Sequence, residues 1–72
     1  MNKKTILDKM NELDCCAFLL DGEMILGTTS GGGNKFLYAS IDASDDEYWN
    51  SVISDEEAVK VYLEATTIEP IE

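Results

Sequence analysis

The chain has no histidine and no arginine among its 72 residues, and it has a single proline. Without histidine there is no Ser-His or Cys-His nucleophile pair, no imidazole metal ligand and no proton shuttle near neutral pH. Without arginine there is no bidentate clamp for phosphate or carboxylate. With only five lysines against 15 acids, we do not expect a basic face that binds nucleic acid. We therefore expect a non-enzymatic protein without a cofactor.

Long hydrophobic runs are also missing. The start of the chain is basic, but the mixed run Ile6–Glu12 cannot serve as the apolar core of a signal peptide. The longest apolar stretch, Cys15–Leu20, has six residues, whereas a bilayer span needs roughly 20. The adjacent Cys15 and Cys16 are poorly placed for a disulfide bond, because neighbouring strand residues point to opposite faces. We expect two small buried thiols in a cytoplasmic protein that has no membrane segment.

The length and apolar content predict one small folded domain, residues 1–72, because 44% of the residues are hydrophobic despite a net charge of −10. Apolar residues at i, i+4 and i+7 (Ile6, Met10 and Leu13) predict a helix over about 4–14. Asn2 or Thr5 can cap its start.

A three-stranded antiparallel meander is predicted over about 15–20, 23–29 and 35–41. Asp21-Gly22 suits a two-residue type I′ turn, because both turn positions need positive φ. If Leu20 pairs with Glu23, Phe18 lies opposite Ile25 and Ala17 lies opposite Leu26. Both faces of the first two strands are then apolar, so either helices cover both faces or one face serves self-association or a partner. The predicted faces are Ala17, Leu19, Met24 and Leu26 on one side, and Phe18, Leu20 and Ile25 on the other.

Two Ser-x-x-Glu sequences, Ser44–Glu47 and Ser54–Glu57, have the form of capping boxes and predict helices over about 45–52 and 55–65. The second helix is expected to turn Ala58, Val61, Tyr62 and Ala65 inward. The residues 66–72 are expected to be a tail, since they are β-branched and contain Pro70. The predicted fold is thus α+β, in the order α-β-β-β-α-α.

The glycine-rich segment between residues 27 and 35 does not have phosphate-loop spacing. Gly33 stands where that motif needs lysine, and Lys35 opens a predicted strand rather than a helix. A hairpin loop is the expected structure, and a mobile recognition loop at Gly31–Gly33 is the alternative. The segment 42–47 likewise lacks the glycine and terminal glutamate of an EF-hand calcium loop, so we expect no metal site.

The distribution of charge is the most informative feature. From residue 10 onward there are 14 acids and two lysines, and the segment 42–57 holds seven acids and no base, with two aromatic residues among them. Capping and solubility explain part of this excess. The alternative is that the acids imitate a polyanion and that Tyr48 or Trp49 anchors the contact. Ordinary packing in the core is the other interpretation of these two rings. The predicted partner-binding residues are Asp42, Asp45, Asp46, Glu47, Tyr48, Trp49, Asp55, Glu56 and Glu57.

In outline, a very short, arginine-free, strongly acidic α-β-β-β-α-α chain resembles phage-encoded inhibitors of host defence, including some anti-CRISPR proteins and DNA mimics, and bacterial immunity proteins that plug toxin nucleases. The resemblance implies a cytoplasmic inhibitor of a basic protein partner, such as a nuclease. The alternative function is a small structural or assembly subunit. That subunit would use an apolar sheet face with Phe18, Leu20 and Ile25 for a homodimer or a larger complex.

Overall fold

A computed structural model describes residues 2–29 and 35–71. It has three helices and one five-stranded sheet, which confirms the predicted α+β class. The elements are α1 (Lys3–Glu12), β1 (Ala17–Leu20), β2 (Met24–Thr28), β3 (Phe36–Ser40), α2 (Asp45–Trp49), β4 (Val52–Ile53), α3 (Asp55–Glu64) and β5 (Ile68–Ile71). None of the described helices combines the length and the apolar character needed to cross a bilayer.

The sheet order is β4-β3-β2-β1-β5, and every neighbouring pair is antiparallel. The prediction of three strands was therefore wrong, because β4 and β5 add a strand at each edge of the meander. The strand β4 lies at the end of the segment predicted as helix 45–52. The helix α2 ends early because Asn50 Nδ2 donates to the Asp46 carbonyl at 2.8 Å and Ser51 Oγ donates to the Tyr48 carbonyl at 2.6 Å.

The predicted tail is wrong for a different reason. Residues Ile68–Ile71 pair with β1, and the turn before them is held by Asp21, which lies in the β1–β2 hairpin. One carboxylate oxygen of Asp21 accepts the backbone N–H groups of Thr66 at 2.8 Å and Thr67 at 2.9 Å. The Asp21 N–H in turn donates to the Thr67 carbonyl at 3.0 Å. Pro70 is tolerated because β5 is an edge strand.

The predicted register of the first hairpin was wrong by one residue. Asp21 and Gly22 have the expected positive φ values, 54° and 69°, and the Glu23 N–H donates to the Leu20 carbonyl at 3.0 Å. Glu23 nevertheless remains in the loop, and Leu20 pairs with Met24. Because side chains alternate along a strand, this shift of one residue exchanges the faces of β2 relative to β1. The observed partner of Phe18 is Leu26 rather than Ile25.

The core lies on the sheet face that α1 and α3 cover. Seven residues of this core are fully or almost fully buried: Ile6, Met10, Phe18, Leu20, Leu26, Phe36 and Ala58. Val61, Tyr62 and Ala65 pack against them, as predicted for the inner face of α3. Leu13 departs from its predicted stripe, because α1 ends at Glu12 and Leu13, its C-cap, is 38% exposed.

Replacing Asp21 tests how far the β1–β2 turn stabilises β5. Asp21→Gly removes the carboxylate while keeping a residue that tolerates positive φ. We expect it to lower the free energy of unfolding by about 1–2 kcal/mol, because two backbone donors lose a charged acceptor, and to speed hydrogen exchange in β5. Asp21→Asn is the matched control, since asparagine keeps an acceptor and tolerates this conformation. Urea unfolding with amide exchange measures both variants. Equal protection of β5 in the glycine variant would contradict the expectation.

Candidate protein-binding site

The helix α2 begins at a complete capping box. Ser44 Oγ accepts the Glu47 N–H at 3.2 Å, and Glu47 Oε1 accepts from Ser44 Oγ at 3.2 Å and from the Ser44 N–H at 3.5 Å. The box predicted for Ser44–Glu47 is therefore confirmed. Its consequence for the site is that the Glu47 carboxylate already has an internal role, whereas Asp45 and Asp46 project from the first turn and are exposed.

Tyr48 fixes α2 against the sheet face opposite the core. A Cβ atom placed on Gly27 would run into the Tyr48 hydroxyl oxygen, and it would lie 3.1 Å from the ring Cζ and 3.3 Å from Ala17 Cβ. The absence of a side chain at Gly27 is thus what lets the Tyr48 ring lie on the sheet. Leu37 lies on the same face and is fully buried. Tyr48 is half-buried and serves as the anchor of α2.

Trp49, the next residue of α2, is 52% exposed. Its ring meets the Tyr48 ring edge-on, with 5.3 Å between the ring centroids. Residues three and four apart are neighbours on a helix surface, so Asp45 and Asp46 lie beside Trp49. A large, half-exposed aromatic side chain therefore lies next to two carboxylates on the surface of α2. We call the set Asp42, Asp45, Asp46, Glu47, Tyr48 and Trp49 the α2 acidic face.

The remaining predicted acids, Asp55, Glu56 and Glu57, form the first turn of α3. Ser54 Oγ caps that turn by accepting the Glu57 N–H at 3.1 Å. The Glu57 side chain does not bond back to the Ser54 backbone, so only half of the capping box predicted at Ser54–Glu57 forms. The helix α3 covers the core face through Ala58, whereas α2 covers the opposite face through Tyr48. The nine predicted residues therefore form two groups on opposite sides of the sheet. We call the second group the α3 acidic turn.

The two groups differ in how strongly their charge is compensated. Lys3 Nζ lies 3.3 Å from a carboxylate oxygen of Asp55, so α1 supplies a cation to the α3 acidic turn. No lysine or arginine occurs in the sequence from residue 36 to residue 59. In the described ranges 2–29 and 35–71, the second ion pair joins Lys9 and Glu12, 3.9 Å apart and within α1. The negative charge of the α2 acidic face is thus the less compensated of the two.

The apolar face that remains accessible is not the one expected from the sequence. Phe18 is fully buried and Leu20 is 3% exposed, both under α1 and α3, so neither can form an interface. Ile25 lies on the opposite face, where it pairs with Leu19 and Ala39. We call this side the second sheet face. Its members within the strands are Ala17, Leu19, Ile25, Gly27, Leu37, Ala39, Val52, Glu69 and Ile71.

The two cysteines are free thiols in different surroundings. Burial is the main cause that raises the pKa of Cys15 above its ordinary value. Cys16 is exposed, which contradicts the expectation that both thiols are buried.

Within residues 2–29 and 35–71 no group of three or more His, Cys, Asp or Glu side chains could hold a metal ion. The loop predicted at Gly31–Gly33 lies outside the described residues.

Comparison of the chain with protein-family models, curated proteins and solved structures finds no match.

The contact between Tyr48 and Gly27 can be measured by a double-mutant cycle. Gly27→Ala should destabilise the protein by about 1–3 kcal/mol, because the added methyl group overpacks against the Tyr48 hydroxyl. In a Tyr48→Phe background the hydroxyl is gone and the cost of the same substitution should be smaller. Urea unfolding of the four proteins gives the coupling energy. An additive cycle would contradict the placement of Tyr48 on the sheet.

Titration of Tyr48 gives a second test of its burial. Desolvation by burial is the main cause that raises the pKa of Tyr48, and charge on Cys16 adds to it. Below the ordinary tyrosine pKa of about 10 this group leaves stability unaffected. Above that value the unfolded chain releases the proton more readily than the folded protein, so the free energy of unfolding falls as pH rises.

We therefore expect the free energy of unfolding to decline less steeply in Tyr48→Phe than in the unmodified protein between about pH 9 and pH 11. The raised pKa of Cys15 is present in both proteins and does not contribute to their difference. Urea unfolding at several pH values measures the two slopes, and tyrosinate absorbance of the folded proteins reports the ionisation directly. Identical slopes would contradict the burial of the Tyr48 hydroxyl.

Proposed function

We propose that this protein is a non-enzymatic inhibitor that occupies the substrate site of a basic, nucleic-acid-handling protein through its α2 acidic face. The observation that supports this most is the exposure of Trp49 beside Asp45 and Asp46, in a segment without any basic residue. Carboxylates alone attract many cations with little selectivity. A partly exposed tryptophan next to them adds the kind of side chain that dominates the energy of protein interfaces.

The electrostatic part of the proposal follows from the charge of the natural ligand. Duplex DNA presents about one negative charge per 1.7 Å of helix axis to a protein groove lined with lysine and arginine. The first turn of α2 offers three consecutive acids, with Asp42 in the turn before it. Such a surface would raise the association rate with a basic groove by roughly 10- to 1,000-fold at low salt. The α3 acidic turn would add long-range attraction without direct contact.

The partner class in this proposal is a nuclease or another nucleic-acid-binding enzyme. A DNA-mimicking surface of this kind would fit two classes of inhibitor. One is phage anti-defence proteins, anti-CRISPR inhibitors among them, and the other is immunity proteins of toxin nucleases. An inhibitor acting in this way competes with the nucleic acid, so excess substrate restores the activity of the partner.

A second candidate function is that of a small assembly subunit that docks through an apolar face. The observation in its favour is the incomplete cover of the second sheet face, where Ile25 and Ile71 are half-buried and the adjacent Ile41 is 49% exposed. A net charge of −10 on each copy opposes self-association. A positively charged complex is therefore the better-matched host for such a subunit.

The two acidic groups provide matched variants for testing the proposed function. Asp45→Asn, Asp46→Asn and Glu47→Gln together remove three charges from the α2 acidic face, and the glutamine introduced by Glu47→Gln retains the capping box. Asp55→Asn, Glu56→Gln and Glu57→Gln remove the same charge from the α3 acidic turn. A partner is isolated from host lysate at low salt and purified, and its association kinetics and its enzymatic activity are measured with each protein.

We expect the α2 triple variant to lower the association rate about tenfold or more, the α3 triple variant to lower it less, and affinity to fall steeply from about 50 to about 500 mM salt. Inhibition should be overcome by added DNA or RNA substrate. Salt-independent affinity, or inhibition that substrate does not relieve, would contradict the proposed function. If the two triple variants lowered the association rate equally, binding would depend on net charge rather than on the α2 acidic face.

A further inference from the structure

An apolar groove lies between α2 and the part of the second sheet face that α2 leaves uncovered. Its volume is about 310 Å³. The groove is bounded mainly by aliphatic and aromatic side chains and has one carboxylate at its edge: Ala17, Ile25, Ile41, Tyr48 and Ile71, with Asp45. This volume is near the lower end of the range for ligand pockets, roughly 300–1,000 Å³, and suits one large side chain rather than an extended ligand.

The groove exists because α2 is too short to cover the sheet. With five residues it extends over less than two turns, and Tyr48 is the side chain that it lays on Gly27. Ile41 follows β3 directly, and its backbone N–H donates to the Glu23 carbonyl at 2.9 Å, which holds the residue at the mouth of the groove. Its side chain is 49% exposed, so a ligand in the groove would remove apolar surface from water.

The charge around the groove identifies its occupant. Asp45 lies at the edge, Asp46 follows it on α2, and Trp49 is exposed one turn further along the helix. A second copy of the chain would bring a further net charge of −10 to this acidic surface, which disfavours a homodimer. In a segment with an apolar side chain flanked by lysine or arginine, the apolar side chain can fill the groove and the flanking cations can pair with the carboxylates at its edge.

We propose that the groove binds one apolar side chain of a basic segment on the partner protein, while carboxylates of the α2 acidic face pair with the flanking cations. This proposal rests on the proposed function and specifies how the α2 acidic face recognises its partner. Cations supply the attraction at long range, whereas the apolar side chain gives selectivity for a protein over a simple polycation.

Four synthetic peptides separate the contribution of the groove from that of charge. Their sequences are Lys-Lys-Leu-Lys-Lys, Lys-Lys-Ser-Lys-Lys, Glu-Glu-Leu-Glu-Glu and Glu-Glu-Ser-Glu-Glu, each acetylated and amidated. Titration into the ¹⁵N-labelled protein, followed by amide chemical shifts, gives affinity and location together. We expect Lys-Lys-Leu-Lys-Lys to bind roughly tenfold more tightly than its serine counterpart, because burial of leucine contributes on that scale. The largest shifts should occur at Ile25, Ile41 and Ile71.

Variants of the protein give an independent measurement. Ile41→Ser should remove most of the preference for leucine over serine in the basic peptides, because it removes apolar surface from the lining of the groove. Leu63→Ser is the matched control: Leu63 is 59% exposed and lies on α3, against the opposite side of the sheet. It should leave the preference unchanged. Light scattering of the unmodified protein should give the mass of a monomer, 8.0 kDa.

Each contrary result has a distinct meaning. Equal binding of the two basic peptides, with shifts confined to the acids of α2, would overturn the groove and leave the proposed function standing. Equal binding of the two leucine peptides irrespective of their charge would support an apolar groove and count against the polyanionic function. A stable dimer whose interface includes Ile41 would overturn the assignment of a basic segment as the occupant. Failure of all four peptides to bind would overturn the proposal that the groove binds a basic segment.

Discussion

A sheet with two apolar faces must be covered from both sides, and this chain has too few residues to do so completely. The core face receives two ten-residue helices, α1 and α3. The second sheet face receives only the five residues of α2. The contact of Tyr48 with Gly27 holds this short helix in place, and both the exposed Trp49 and the groove beside Ile41 follow from its shortness.

Local patterns were sufficient to predict the fold class, the three helices and the capping box of α2. They failed where one residue or a distant contact decided the outcome. Glu23 stays in the hairpin loop although Asp21 and Gly22 adopt the predicted conformation. The residue types of the turn do not indicate that the loop contains this additional residue. The strand β5 depends on hydrogen bonds from Thr66 and Thr67 to Asp21, some 45 positions earlier in the chain, which no local pattern contains.

The candidate site was predictable by residue type but not by arrangement. The acids of segment 42–57 are close in sequence, and a single acidic surface was the natural interpretation. The two-residue strand β4 intervenes, and the chain passes from one face of the sheet to the other as it goes from α2 to α3. The sequence offered both Tyr48 and Trp49 as the anchor, and the structure separates them: Tyr48 lies over Gly27, whereas Trp49 is 52% exposed.

The separation of the acids would make the proposed binding more specific than net charge alone would. If attraction at long range were all that mattered, either group of acids would serve, since it depends on total charge and is weakened by salt. Among the described residues, the less compensated carboxylates are those of the α2 side, where they adjoin an exposed aromatic ring and an apolar groove, whereas Asp55 on the other side is paired with Lys3. A partner attracted by the whole molecule would therefore be retained by one face of it.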